Sequence, residues 1–170
     1  MARYLLGIAV SIFMFAATSG FAENAPLAEA MAEKSIGRAD APVTMIEYSS
    51  LTCPHCASFH KDALPSIKRD FVDTGKVRIV FWDFPLGNLA MAAAMVARCS
   101  GQKNYIPMID AFFQSQETWA RSNTPFDAIA GIARLSGMGV DDLENCLDNQ
   151  DLLNALQAKA QEASQVLGVE

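Results

Sequence analysis

The chain has 170 residues, 51% of them hydrophobic and 19% charged, with 13 basic against 19 acidic side chains for a formal net charge of -6. That length supports one modest domain, and the apolar share excludes a disordered chain or a scaffold held by disulfides alone. The basic residues are scattered among more numerous acids with no stripe to grip phosphates, which argues against nucleic acid as a partner.

In chain order, Met1 to Arg3 is short and basic, Leu5 to Ala17 is almost wholly apolar, and Gly20-Phe21-Ala22 places small residues around a cleavage point. This is the layout of a secretory signal, so residues 1–22 are expected to be removed after Ala22. The alternative, an uncleaved membrane anchor, needs about 20 apolar residues, and this run is shorter. No stable membrane anchor is therefore expected after cleavage, and no cysteine near the site offers lipid attachment. Export implies an oxidising compartment, where disulfides persist. Of the four cysteines, Cys53 and Cys56 form a local unit, leaving Cys99 and Cys146 as the natural second pair.

Residues 23–35 form an N-terminal arm, whose Ala- and Glu-rich stretch Ala25 to Lys34 reads as either a short helix or a mobile segment. A turn-rich approach, Ile36 to Pro42, leads into Val43 to Ser49, a β-branched and apolar run of strand length in which Glu47 is out of place. CPHC follows after Ser50-Leu51-Thr52, and then Ala57 to Thr74 carries apolar residues at helical spacing, with a kink expected at Pro65. Val77 to Phe84 reads as a second strand stopped by Pro85 and Gly87. A right-handed crossover would make the two strands parallel neighbours. Helical segments are predicted at Leu89 to Cys99, Tyr105 to Gln114, Pro125 to Leu135, Asp141 to Leu147 and Leu152 to Leu167, with Thr124 capping the third ahead of Pro125.

The order strand, CxxC, helix puts Cys53 at the start of a helix and Cys56 one turn inside it, with Pro54 in the first turn. Unpaired N–H groups and the helix dipole there favour a thiolate on Cys53, which makes it the attacking sulfur and Cys56 the resolving one. His55 adds a donor, and a positive charge when protonated, beside the same sulfur. Each pH unit by which a thiolate is favoured is worth about 1.4 kcal/mol, or roughly 30 mV for a two-electron couple, and it makes the corresponding disulfide more oxidising.

Other readings of these residues are weaker. Zinc lacks a second CxxC, and the histidines His55 and His60 lie within or one turn beyond the motif, so no metal site is expected. A purely structural Cys53–Cys56 bridge would close a loop too small to stabilise much. His60, four residues after Cys56, is expected at the surface, with contact to the site as the alternative. Glu47 either points to solvent from an edge strand or is a buried carboxylate under the site, able to take a proton from Cys56. Cys99 and Cys146 are either two buried free thiols or one structural disulfide. The bridge is the favoured reading and would contribute on the order of 4 kcal/mol. Trp82, Trp119, Phe112 and Phe113 read as core, with a substrate groove as the alternative.

The segment EYSSLTCPHC resembles the active-site region of the DsbA-like thiol-disulfide oxidoreductases, a secreted branch of the thioredoxin fold. DAPVTMIEYSS before it and FWDFPLG after it extend the match, which covers roughly Ile36 to Val169. The resemblance implies an α/β, thioredoxin-like domain over 36–170, with a helical insert at about 88–167. It also implies a periplasmic enzyme that donates the Cys53–Cys56 disulfide to reduced exported proteins, uses no cofactor beyond that pair, and is reoxidised by a membrane quinone-linked oxidase. By position, Glu47 matches the family's buried acid, Cys53 the nucleophile, Cys56 the resolving cysteine, and Pro54 and His55 the tuning dipeptide. Cys99 and Cys146 match the second disulfide of some members. The family pattern continues into a threonine-proline loop, two strands and a final helix where this chain reads Leu167-Gly168-Val169-Glu170, so a fragment of a longer protein is expected. The alternatives are a disulfide isomerase or reductase, and a non-catalytic binding or chaperone-like module whose CxxC is only structural.

Overall fold

The computed structural model describes residues 26–169, and the expected signal, 1–22, lies outside the described residues. The described chain begins with a single helical turn, α1 (Leu27–Ala30), followed by β1 (Lys34–Ile36) and β2 (Val43–Ser49). From Pro54 it is helical to Val72: α2 (Pro54–Ser58), a π turn (Phe59–Ala63), α3 (Leu64–Ile67) and a second π turn (Lys68–Val72). The kink expected at Pro65 is replaced by a wide turn just ahead of it, in which the Leu64 N–H reaches back to the Phe59 carbonyl. Proline has no N–H for the regular ladder, and a π turn absorbs the irregularity.

β3 (Val77–Asp83) completes a sheet ordered β1-β3-β2, antiparallel between β1 and β3 and parallel between β3 and β2. Ile79, Val80 and Phe81 are all buried, as a central strand covered on both faces requires. β1 departs from the sequence reading, which put Lys34 and Ser35 in an arm. Three residues are too few for alternation to show, and the strand carries a lysine. Lys34 is nevertheless buried, because its Nζ donates to the Glu29 carbonyl and to Gln102 Oε1 and lies 5.6 Å from the centre of the Tyr105 ring.

The helices that follow are α4 (Asn88–Cys99), α5 (Tyr105–Gln114), α6 (Gln116–Trp119), α7 (Pro125–Ala133) with a 3-10 turn (Arg134–Ser136), α8 (Val140–Leu147) and α9 (Gln150–Gln165). Thr124 occupies the N-cap of α7 with Pro125 at the first position, but its side chain makes no capping hydrogen bond. α4 is the hub. Its small Ala90, Ala93, Ala94 and Ala97 let α5, α7, α8 and α9 pack close around it. Phe112, Phe113 and Trp119 lie in the core, whereas Trp82 is partly exposed, with Lys159 Nζ 4.0 Å above its ring.

Two long-range ties fix this frame. Cys99 and Cys146 are disulfide-bonded, joining the end of α4 to α8. The buried Arg98 donates from Nε to Asp83 Oδ2 at 2.7 Å and from Nη1 to the carbonyls of Ala30 and Ala32 at 3.0 and 2.8 Å. Tyr105 donates its hydroxyl to the other Asp83 oxygen at 2.9 Å, so β3, α4, α5 and the α1 segment meet at one polar cluster. Among the described residues, no helix is long and apolar enough to cross a membrane.

Candidate active site

The loop between β2 and α2 is held from three sides. The Cys53 N–H donates to the Ser50 carbonyl at 3.0 Å, closing a turn, and Ser50 Oγ accepts the Leu86 N–H at 3.2 Å from the loop that follows β3. From the helical segment, Gln116, itself buried, donates Nε2 to the carbonyls of Leu51 at 2.8 Å and Cys53 at 3.0 Å. This leaves Cys53 in extended conformation at the N-cap of α2, with Pro54 at the first helical position and Cys56 in the first turn.

Both cysteines are thiols and both are partly buried. Burial pushes the Cys56 thiol up to about 11; the Ser50 backbone opposes this, while the Cys53 sulfur and the Glu47 carboxylate add to it. Cys56 therefore holds its proton near neutrality. Pro54 and His55 are exposed beside the pair. His55, Cys56, Glu47, Ile46, Tyr48 and Phe59 line a cavity of about 350 Å³, and a second of about 370 Å³ opens on the other side of the motif between Pro54, Leu86, Leu89, Gln116 and Arg121.

Glu47 stands opposite Phe81 in the parallel ladder, on the face that β2 turns toward the helix, and its side chain is only 9% exposed. Of the two positions the sequence left open for Glu47, this is the buried one. Its Oε1 accepts a hydrogen bond from His60 Nε2 at 2.9 Å, while Oε2 is buried and accepts none among the described residues. His60 is thus not the surface residue the sequence suggested. It is buried, stacked on Phe113 with ring centres 4.1 Å apart, and its Nδ1 donates to Asp110 Oδ1 at 3.0 Å. Burial alone would lower its pKa, but the hydrogen bonds and charges of Asp110 and Glu47 outweigh burial and raise it to about 9. His60 is therefore a cation at neutral pH. The signal for it was its spacing: four residues after Cys56 in a helix, it shares that residue's face.

Sequence reasoning also missed Gln116 and Asp110, which reach the site from the helical segment. Neither lies near CPHC in sequence, and local periodicity carries no information about such contacts. Among the described residues, no three His, Cys, Asp or Glu side chains converge to hold a metal ion.

The pattern that defines the thioredoxin family matches residues 29–170. A Rickettsia typhi protein named as a protein-disulfide oxidoreductase is 32% identical over 124 residues, which is 72% of this chain and 46% of the relative. The chain spans about half the length of the curated relatives it matches. Among solved structures, α-DsbA1 of Wolbachia pipientis is 33% identical with a TM-score of 0.76, covering 82% of this chain and 71% of that one. A protein-disulfide isomerase from Novosphingobium aromaticivorans is 25% identical with a TM-score of 0.71, covering 81% and 82%. With its strand–CPHC–helix site and mixed α/β architecture, the chain belongs to the thioredoxin family, as a DsbA-like member.

Proposed function

We propose that this chain carries the catalytic pair of a periplasmic thiol-disulfide oxidoreductase that donates the Cys53–Cys56 disulfide to reduced, newly exported proteins. The observation that carries the reading is the asymmetry of the pair: Cys53 caps the helix, while Cys56 sits behind it with its thiol pushed up to about 11 by burial. A substrate thiolate attacks Cys53 Sγ, the Cys53–Cys56 bond breaks, and Cys56 leaves as a thiolate that takes up a proton. The substrate's second thiol loses its proton and attacks the substrate sulfur of the mixed disulfide. Cys53 then leaves, the substrate gains a disulfide, and two electrons have passed to the cysteine pair.

Glu47 is the proton donor and acceptor for Cys56 in this scheme, supported by their shared cavity and by the burial of the carboxylate. Pro54 and His55 tune the pair from the exposed rim of the helix, and Cys99–Cys146 braces the helical segment without taking part. The reduced pair is returned to the disulfide by a membrane quinone-linked oxidase.

The test is oxidation of a reduced two-cysteine peptide by the oxidised chain. Loss of activity in Cys53→Ser is expected, and wild-type activity in that variant would refute the mechanism. Similarity to the Novosphingobium protein-disulfide isomerase favours a second reading, isomerisation. A scrambled, fully disulfide-bonded substrate separates the two. Restoration of its native pairing by the reduced chain, with no net oxidant, supports the isomerase, whereas oxidation of the dithiol peptide without such reshuffling supports the donor.

A further inference from the structure

The two cavities divide the cysteine pair between them. The one of about 350 Å³ is lined by Cys56, whereas the one of about 370 Å³ is lined by Thr52 and Pro54, the residues on either side of Cys53. A substrate sulfur bonded to Cys53 brings the residues that flank the substrate cysteine to this second cavity. Its walls are anchored to the CPHC loop. Leu86, 59% exposed, is pinned through its N–H to Ser50 Oγ, and Leu89 follows in the first turn of α4. Gln116, 5% exposed, and Ala120 line the cavity from α6 and its end. Because Gln116 Nε2 donates to the carbonyls of Leu51 and Cys53, the orientation of the amide is fixed. Its Oε1 accepts no hydrogen bond among the described residues. Of the buried side-chain atoms described, only Glu47 Oε2 lacks a partner, so Gln116 Oε1 is open to solvent.

A nearly buried amide with a free acceptor, set among apolar side chains, matches the chemistry of a peptide: a backbone N–H for the oxygen and an apolar side chain for Leu86, Leu89 and Ala120. Glu117 and Arg121, both exposed, add one charge of each sign, so the lining favours neither an acidic nor a basic occupant. We infer that this cavity is a substrate subsite that seats an apolar side chain next to the reacting cysteine of an extended polypeptide, with Gln116 Oε1 accepting a backbone N–H from the same segment. The inference rests on the disulfide-exchange reading above. It directs the chain toward polypeptides that have not yet folded, because folding buries most apolar side chains.

The experiment is reduction of the oxidised chain by two dithiol peptides that differ only at the residues on both sides of the attacking cysteine, leucine in one and serine in the other. Each second-order rate constant is divided by the same peptide's rate with a small free disulfide, which cancels differences in thiol reactivity. The wild-type chain is expected to favour the leucine peptide at least about 5-fold. Leu86→Ser should bring the two peptides within about 2-fold of each other, and Leu86→Met, which keeps an apolar surface, should retain the preference. A general loss of activity would slow both peptides alike and leave the ratio unchanged. The exposure of Leu86 leaves both variants free to fold. A wild-type ratio near one, or a preference that survives Leu86→Ser or disappears in Leu86→Met, overturns the subsite. If neither peptide reduces the oxidised wild-type chain, the disulfide-exchange reading falls and the subsite with it; if both reduce it equally well, the subsite alone falls.

Discussion

Glu47 Oε1 and His60 Nε2 lie 2.9 Å apart beneath the cysteine pair, joining a carboxylate on β2 to an imidazole on the π turn that follows the CPHC helix. The contact gives stability a defined pH dependence. His60 ordinarily titrates near 6.5 and is raised to about 9 in the folded chain.

A raised pKa means that the folded chain holds a proton which the unfolded chain releases. The stabilisation is therefore complete below about pH 6.5 and is lost as pH rises through about 9. At about 1.4 kcal/mol per pH unit, the upper limit is about 3 kcal/mol, reduced by solvent screening at half-exposed Asp110. Urea unfolding at pH 6, 7.5 and 9.5 is expected to show this decline in the wild type and a shallower one in His60→Gln. Parallel curves for the two proteins would contradict the assignment of a buried imidazolium.

Arg98 is expected to be the most costly polar residue to remove. Arg98→Ala strands the buried Asp83 carboxylate and frees the carbonyls of Ala30 and Ala32. Breaking one side of a buried pair costs about 3–5 kcal/mol. Chemical denaturation should show a loss of that size, with α1 and β1 exchanging amide hydrogens faster. A loss below about 1 kcal/mol would show that the cluster does not hold the amino-terminal segment.

The Cys99–Cys146 disulfide spans 47 residues of sequence, and its removal by the double variant Cys99→Ala, Cys146→Ala is expected to lower stability by about 4 kcal/mol at most. Peptide oxidation by the folded double variant should persist, because the bridge ties α4 to α8 away from Cys53. Abolished exchange in a variant that remains folded would give the second disulfide a role beyond bracing.

Much of this frame is legible in the residues. The β-branched run ending at Ser49, the glycine and proline after β3, and the apolar spacing of Tyr105 to Gln114 each state their element locally, and α5 spans that same range. CPHC between a strand and a helix likewise announces where the sulfurs stand. Contacts that join distant segments are hidden. β1 is three residues long and depends on β3 for its existence, and Lys34 is buried only because Gln102 and Glu29 meet its ammonium group. His60 is drawn inside by Glu47 and Asp110, and Gln116 finds the Cys53 carbonyl across 63 residues of chain. Each requires a fold already formed: spacing puts His60 on the Cys56 face of the helix, but only the folded chain brings up the two carboxylates that hold it inside.

The central claim is that Cys53 exchanges disulfides and Cys56 resolves them, and trapping the mixed disulfide tests it most directly. Reduced Cys56→Ser and Cys53→Ser variants would each be mixed with a peptide whose single cysteine is held as a disulfide to an aromatic thiol that departs on attack, and adducts located by mass spectrometry. The account predicts a stable adduct on Cys53 in Cys56→Ser and almost none on Cys56 in Cys53→Ser. Equal trapping at the two cysteines, or preferential trapping at Cys56, would contradict it.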